Sequence, residues 1–200
     1  QPLEDRVVHI TRVSGTVNYP CSFILVCAMN PCKCGFFPDL GKCRCTPTQI
    51  RRYLNRVSGP FLDRIDIGVE VPRQDLGMMA AEKSIDEGSF PQTEQRNSSA
   101  VMRARVMEAR ARQEKRFADE SISYNSQMTR RQIEEYCRLS GEDAVFLEKV
   151  ERQQGISARG HGKILKVART LADLDGQAEI GRTQLAEAIG FRSFEKKYWG

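Results

Sequence analysis

Four cysteines are crowded into one short stretch. Cys32 and Cys34, then Cys43 and Cys45, make two C-x-C pairs eight residues apart in "PCKCGFFPDLGKCRC". Four thiolates on one loop suit tetrahedral zinc. The commonest zinc spacing is C-x2-C, because two intervening residues let backbone amides reach the sulfurs, so C-x-C is a less usual pattern. Gly35 and Gly41 supply the turns that so small a loop needs. The loop has no long hydrophobic run, and ligation could contribute folding free energy on the order of 10 kcal/mol. Free or oxidised thiols stay open as the other reading, and disulfides are disfavoured in a reducing compartment. Cys21, Cys27 and Cys137 lie in apolar settings and read as core residues.

Three further side chains could do chemistry. Asn30 ends the apolar run "CSFILVCAMN", which reads as a strand buried on both faces of a mainly parallel sheet. Ligands of open α/β sheets bind beyond the carboxyl ends of the strands, so the Asn30 amide could hold a water or a phosphate oxygen. It could equally be a turn-forming residue before Pro31. Arg64, in "SGPFLDRID", offers a planar fork suited to phosphate. The alternative is an ion pair with flanking Asp63 or Asp66. Arg159 falls in the first turn of the helix expected from "GISARGHGKILKVARTLADL". A cation there opposes the helix macrodipole, which hints at an anionic partner. His161 and Lys163 read as exposed. Residues 101–118 hold six basic and two acidic residues, either a polyanion-binding helix or a solvated face.

These residues need elements to hold them. "VVHITRV" and "TVNY" flank Ser14-Gly15 as a hairpin. Thr46-Pro47 has the form of an N-cap followed by N1 proline for a helix that stops near Ser58-Gly59-Pro60. "FLDRI" is a short helical piece, and "DIGVEVP" alternates like an edge strand. Helical periods follow near 99–118, 129–138, 142–154, 157–173 and 182–189. The chain thus divides into an α/β part over 1–73, a linker over 74–97 and an all-α part over 98–200. With 40% hydrophobic and 28% charged residues, the composition is that of a soluble globular protein. No apolar run reaches the ~20 residues of a membrane helix and no signal peptide precedes the first strand, so a cytoplasmic protein is expected. The opening Gln1 reads as the start of a piece of something longer.

The order "PLEDRVV", hairpin, "VCAMNPCKCG", "CRCTPTQIRRYLNRVSGPFLDRIDIGVEVP", then "GISARGHGKILKVARTLADLDG" resembles the Mg-chelatase-like AAA+ ATPases of the YifB/ComM type. The resemblance covers essentially the whole chain. It implies the C-terminal part of an AAA+ core, an incomplete parallel sheet with a β-hairpin insertion, followed by a helical lid. It implies Asn30 as the sensor-1 asparagine that orients the attacking water. Arg64 would be the arginine finger reaching a neighbouring subunit's ATP, and Arg159 the sensor-2 arginine of the lid. The hairpin would line a central pore, making Arg12 and His9 candidates for DNA contact.

One departure matters. No G-x-x-x-x-G-K-[ST] occurs in the 200 residues, so the groups that grip ATP and magnesium would lie upstream. The resemblance therefore implies a ring, a hexamer by analogy, hydrolysing ATP to remodel DNA in recombination or natural transformation. This piece alone would be inactive. A motor subunit for metal insertion into porphyrins, acting on a protein, is the alternative. A core missing its first strands would also leave a sheet edge open to aggregation or non-native pairing.

Overall fold

The structure, a computed structural model, describes residues 2–71 and 98–199. The expected linker at 74–97 lies outside the described residues. Two compact units are present, one of Gln1–Ile65 with Glu195–Gly200, the other of Asp66–Phe194.

The first unit begins with a short helix α1 (Pro2–Asp5) and an antiparallel hairpin of β1 (Val7–Arg12) and β2 (Gly15–Pro20). Its register runs from Val7 opposite Pro20 to Arg12 opposite Gly15, so Val13 and Ser14 form the two-residue turn. Gly15 itself has φ +141°, open to glycine at no steric cost. Helix α2 (Pro47–Leu54) starts with the expected cap: the Gln49 amide donates to Thr46 Oγ1 and the Gln49 side chain accepts from the Thr46 amide. It buries Ile50 and Leu54, while Arg51 and Arg52 face out. The four-residue α3 (Gly59–Leu62) follows.

The expected parallel sheet is not found among the described residues. Among the described residues the hairpin is the whole of the sheet structure. Residues 21–30 form no helix or strand, and Phe23, Ile24, Leu25, Val26 and Met29 are all exposed. A central strand exists only when neighbours satisfy both its edges, and no described segment supplies one. The edge strand expected over "DIGVEVP" is likewise unformed. There the Gly68 amide donates to the Phe191 carbonyl at 2.9 Å, and Ile67, Val69 and Val71 stay exposed. A Cβ on Gly68 would come within 2.2 Å of the Phe194 ring, so only glycine permits this approach.

The second unit is helical. It contains α4 (Ser99–Arg116), a 3-10 turn (Asn125–Gln127), α5 (Arg130–Tyr136), α6 (Gly141–Gln154), α7 (Ala158–Leu174) and α8 (Arg182–Gly190). Their ends fall within two residues of those read from periodicity and caps. Ser98, Thr129, Ser140 and Ser157 each accept a backbone N–H at an N-cap, and Gly155 ends α6 in the left-handed region at φ 69°. A last helix, α9 (Ser193–Trp199), is one the sequence reading did not anticipate. No helix among the described residues is long and apolar enough to cross a membrane.

Helix α7 is the centre of this unit, burying Ile164, Leu165, Ala168 and Ala172 against Phe117, Met128, Leu147 and Leu185. The same face carries charge into the core. Asp173 is fully buried, and Arg169, one turn earlier, is 2% exposed. Asp173 accepts from Arg116 Nη1 and Asn125 Nδ2, both at 2.8 Å, and pairs with Arg169 Nη2 at 3.0 Å. Arg169 also donates to the carbonyls of Gln177 and Ala178. Burial pushes the Asp173 carboxyl up, but the Arg116 and Asn125 hydrogen bonds and the Arg169 charge outweigh it and hold it below the usual carboxylate range. This stability is therefore complete above that range and lost as pH falls through the depressed value. Asp173→Ala would leave two guanidinium groups short of their counter-charge inside the protein. We expect it to cost about 3–5 kcal/mol in a urea titration followed by circular dichroism. A loss under ~1 kcal/mol would mean that water replaces the carboxylate.

Candidate functional site

The C-x-C pairs converge. The sulfurs of Cys32, Cys34, Cys43 and Cys45 all lie within 4.8 Å of one another. Three of the separations are 3.4 Å (Cys32–Cys34), 3.6 Å (Cys34–Cys43) and 3.8 Å (Cys32–Cys43). A disulfide needs about 2.05 Å between sulfurs, and none is formed. Tetrahedral zinc with bonds of about 2.3 Å puts its sulfurs about 3.8 Å apart, so the donor set fits such an ion. Turns at Gly35 (amide to Cys32 carbonyl, 3.0 Å) and at Asp39, which receives the Cys43 amide at 2.7 Å, fold the loop back on itself.

Backbone N–H groups are aimed at the sulfurs. Amides of Phe36 and Arg44 bond Cys34 and bring its thiol down to about 6, against the opposing effect of burial. Burial raises Cys32, but the Phe37 amide at 3.4 Å and its neighbours bring it below the ordinary thiol value. The Cys45 amide favours the Cys43 thiolate, yet burial and sharing of protons with Cys34 and Cys32 drive Cys43 up to about 12. Cys45 receives the Cys34 amide and is still raised, first by its contact with the Cys34 side chain. The cluster thus has two sulfurs disposed to ionise and two held as thiols. A bound cation would remove that split, because metal ligation favours all four thiolates.

What supports the loop comes from both ends of the chain. Cys32 is fully buried with Ile50 and Leu54, and Phe37, Tyr53, Tyr198 and Trp199 pack around them. The Trp199 indole N–H donates to the Leu54 carbonyl at 3.0 Å, and the Phe37 and Tyr198 rings meet edge-on with centroids 6.2 Å apart. These aromatic contacts were missed by sequence reasoning. Only the unusual "YW" next to the chain end signalled them.

The other candidates are spread over both units. Asn30, two residues before Cys32, is exposed. Arg64 is partly covered at the end of α3, with Nη1 donating to the Pro60 carbonyl at 2.6 Å and Nε 3.3 Å from Glu4 Oε2. Its carboxylate neighbour is thus Glu4, not the flanking aspartates. His9 and Arg12 are exposed on the hairpin, with His9 Nδ1 2.7 Å from Asn18 Oδ1 across the strands. Arg159, in the second unit, is exposed in the first turn of α7.

Three residues differ from expectation. Lys163, its side chain 14% exposed, pairs with Asp66 at 2.7 Å, whereas His161 keeps 45% of its side chain exposed, as expected, with Nδ1 2.6 Å from Glu151 Oε1. Cys27 is exposed and Cys21 only half-buried, because their segment forms no strand. Cys137 is buried as expected, and burial pushes its thiol up to about 11.

With this geometry in hand, comparison with known proteins places the chain. Residues 1–79 match the family model described as magnesium chelatase, subunit ChlI, and residues 96–192 match its C-terminal counterpart. The chain belongs to the magnesium-chelatase-like family of the YifB and ComM proteins. It is 39% identical to YifB of Escherichia coli over 196 residues, 98% of this chain and 36% of that protein. It is 40% identical to the competence protein ComM of Haemophilus influenzae over 194 residues, 96% of this chain and 35% of that protein. YifB of Salmonella typhimurium is 37% identical over 98% of this chain. The chain spans about a third of the length of these relatives.

Proposed function

We propose that this chain is the C-terminal part of a ring-forming AAA+ ATPase that couples ATP hydrolysis to the remodelling of DNA, with branch-migration or helicase-like activity. The observation that carries the reading is the kinship with competence protein ComM along 96% of the chain. Competence is the uptake and use of external DNA. The rest of such a protein, about two thirds of a relative's length, would hold the phosphate-gripping loop and the magnesium ligand.

In this reading Asn30 orients the attacking water and Arg159 meets the γ-phosphate from the same subunit. Arg64 reaches the ATP of the next subunit. The exposure of Asn30 and Arg159 and the partial exposure of Arg64 are compatible with these roles. The hairpin with Arg12 and His9 faces DNA in the pore. The four-cysteine cluster holds structural zinc and takes no part in hydrolysis. The setting is the cytoplasm and the assembly a hexamer.

The description of the family model favours a second reading, a chelatase-type motor whose partner is a protein. ATP hydrolysis by the full-length protein, measured with and without single-stranded or branched DNA across a salt series, separates the two. The DNA reading expects stimulation that weakens as salt rises, since phosphate contacts release counterions. Robust hydrolysis indifferent to DNA would give the protein-partner reading the ground.

A further inference from the structure

One short segment carries as much excess positive charge as the whole chain. Residues 31–57 carry Lys33, Lys42, Arg44, Arg51, Arg52 and Arg56 against a single acid, Asp39. The remainder of the chain sums to zero, 25 basic to 25 acidic, the excess of four at 101–118 being offset by acids elsewhere. All six cations are exposed. Lys42 lies 3.9 Å from Asp39, and the other five have no side-chain partner among the described residues.

The sequence puts them outside for a geometric reason. Lys33 and Arg44 are the middle residues of the two C-x-C pairs. Because the flanking sulfurs converge on one point, the residue between them is turned away from it. On α2, Ile50 and Leu54 pack toward the cysteines, and the 100° step per residue carries Arg52 to the opposite side and Arg51 to the flank, both exposed. Four thiolates around a dication would total about −2. Three of the four cysteines are half-buried, so that charge would lower the segment from +5 to about +3, and the outer face stays positive with or without the ion.

Such a face suits one kind of partner. A protein interface needs aromatic or aliphatic anchors at its centre, and Leu40 is the sole exposed large apolar residue among residues 31–57. A nucleic-acid backbone needs only well-spread cations. We propose that the outer face of the cysteine loop and α2, through Lys33, Arg44, Arg51 and Arg52, binds the phosphate backbone of nucleic acid without reading its sequence. The inference takes its partner from the DNA-remodelling reading but assigns it to a surface apart from the hairpin.

The test is fluorescence anisotropy with the full-length protein and no nucleotide, so that failure of the ATPase reading leaves the result interpretable. The probe is a fluorescein-labelled oligonucleotide of about 30 nucleotides, single-stranded and then as duplex, between about 50 and 200 mM salt. The quadruple variant Lys33→Gln/Arg44→Gln/Arg51→Gln/Arg52→Gln is expected to bind on the order of 100-fold more weakly, with a log–log salt slope shallower by about 3. Arg51→Gln/Arg52→Gln, on a helix face that touches no cysteine, guards against misfolding and is expected to give about half that change in slope. Unchanged affinity and slope in both variants would overturn the proposal. So would loss of binding to labelled poly-glutamate with DNA binding intact, which would make the face a dock for an acidic protein.

Discussion

Replacing Arg64 by alanine in the full-length protein is expected to leave ATP binding near its starting level and to cut hydrolysis by about 10³-fold or more, the scale on which arginine fingers act. The obvious objection is that Arg64 already has work within its own chain, beside Glu4 and the Pro60 carbonyl. Magnitudes decide between the roles. The pair is partly solvated, with side chains 26% and 31% exposed, and pairs of this kind contribute about 1 kcal/mol or less. A 10³-fold rate effect is about 4 kcal/mol. Turning Arg64 from Glu4 toward a neighbour's phosphate is therefore a small cost against the gain. Glu4→Gln supplies the matching control: it removes the Glu4 carboxylate and should leave hydrolysis within a few-fold. If Arg64→Ala lowers thermal stability while hydrolysis persists, Arg64 is a structural ion-pair residue and the finger assignment fails.

How much of this could be read from residues alone depends on how local each interaction is. Helices α4 to α8 were legible because their signals are local: a capping Ser or Thr, an apolar stripe at 3.6-residue period, a closing Gly155. The hairpin was legible for the same reason. The apolar run at 21–30 was misread because a strand is a property of its neighbours, and hydrophobicity alone cannot supply them. The ion cluster at Asp173 went unseen because Asp173 and Arg169 stand at i,i+4 on a helix, a spacing far more often solvated than buried. Its other partners, Arg116 and Asn125, lie 57 and 48 residues away. The four cysteines were legible because ligand chemistry restricts which residue types can cluster. What sequence could not reveal was the seat on which the loop rests, since Leu54 and Trp199 are 145 residues apart.

That seat makes the metal reading testable by a signal independent of catalysis. Trp199 is the only tryptophan in these 200 residues, and its ring packs against the small core of Cys32, Ile50 and Leu54 beneath the loop. If zinc holds the loop, stripping it with a strong chelator should remove folding free energy on the order of 10 kcal/mol from this small region. Among the described residues its buried core is Cys32, Ile50 and Leu54, with a few half-buried aromatic rings around them, too little apolar surface to offset such a loss. The expected results are one zinc per chain by elemental analysis, a red shift of Trp199 emission on chelation, and return of the native emission when zinc is restored. Cys34→Ser should mimic chelation. Because ligation displaces protons from the thiols, zinc should also be held less tightly as pH falls, and Cys43, the thiol raised to about 12, is the most reluctant to ionise. Iron in place of zinc would keep the four-sulfur site and change the ion. Four freely reactive thiols, no bound metal and an emission indifferent to chelator would instead make the cluster a packed thiol core, its backbone N–H groups serving only to order the loop.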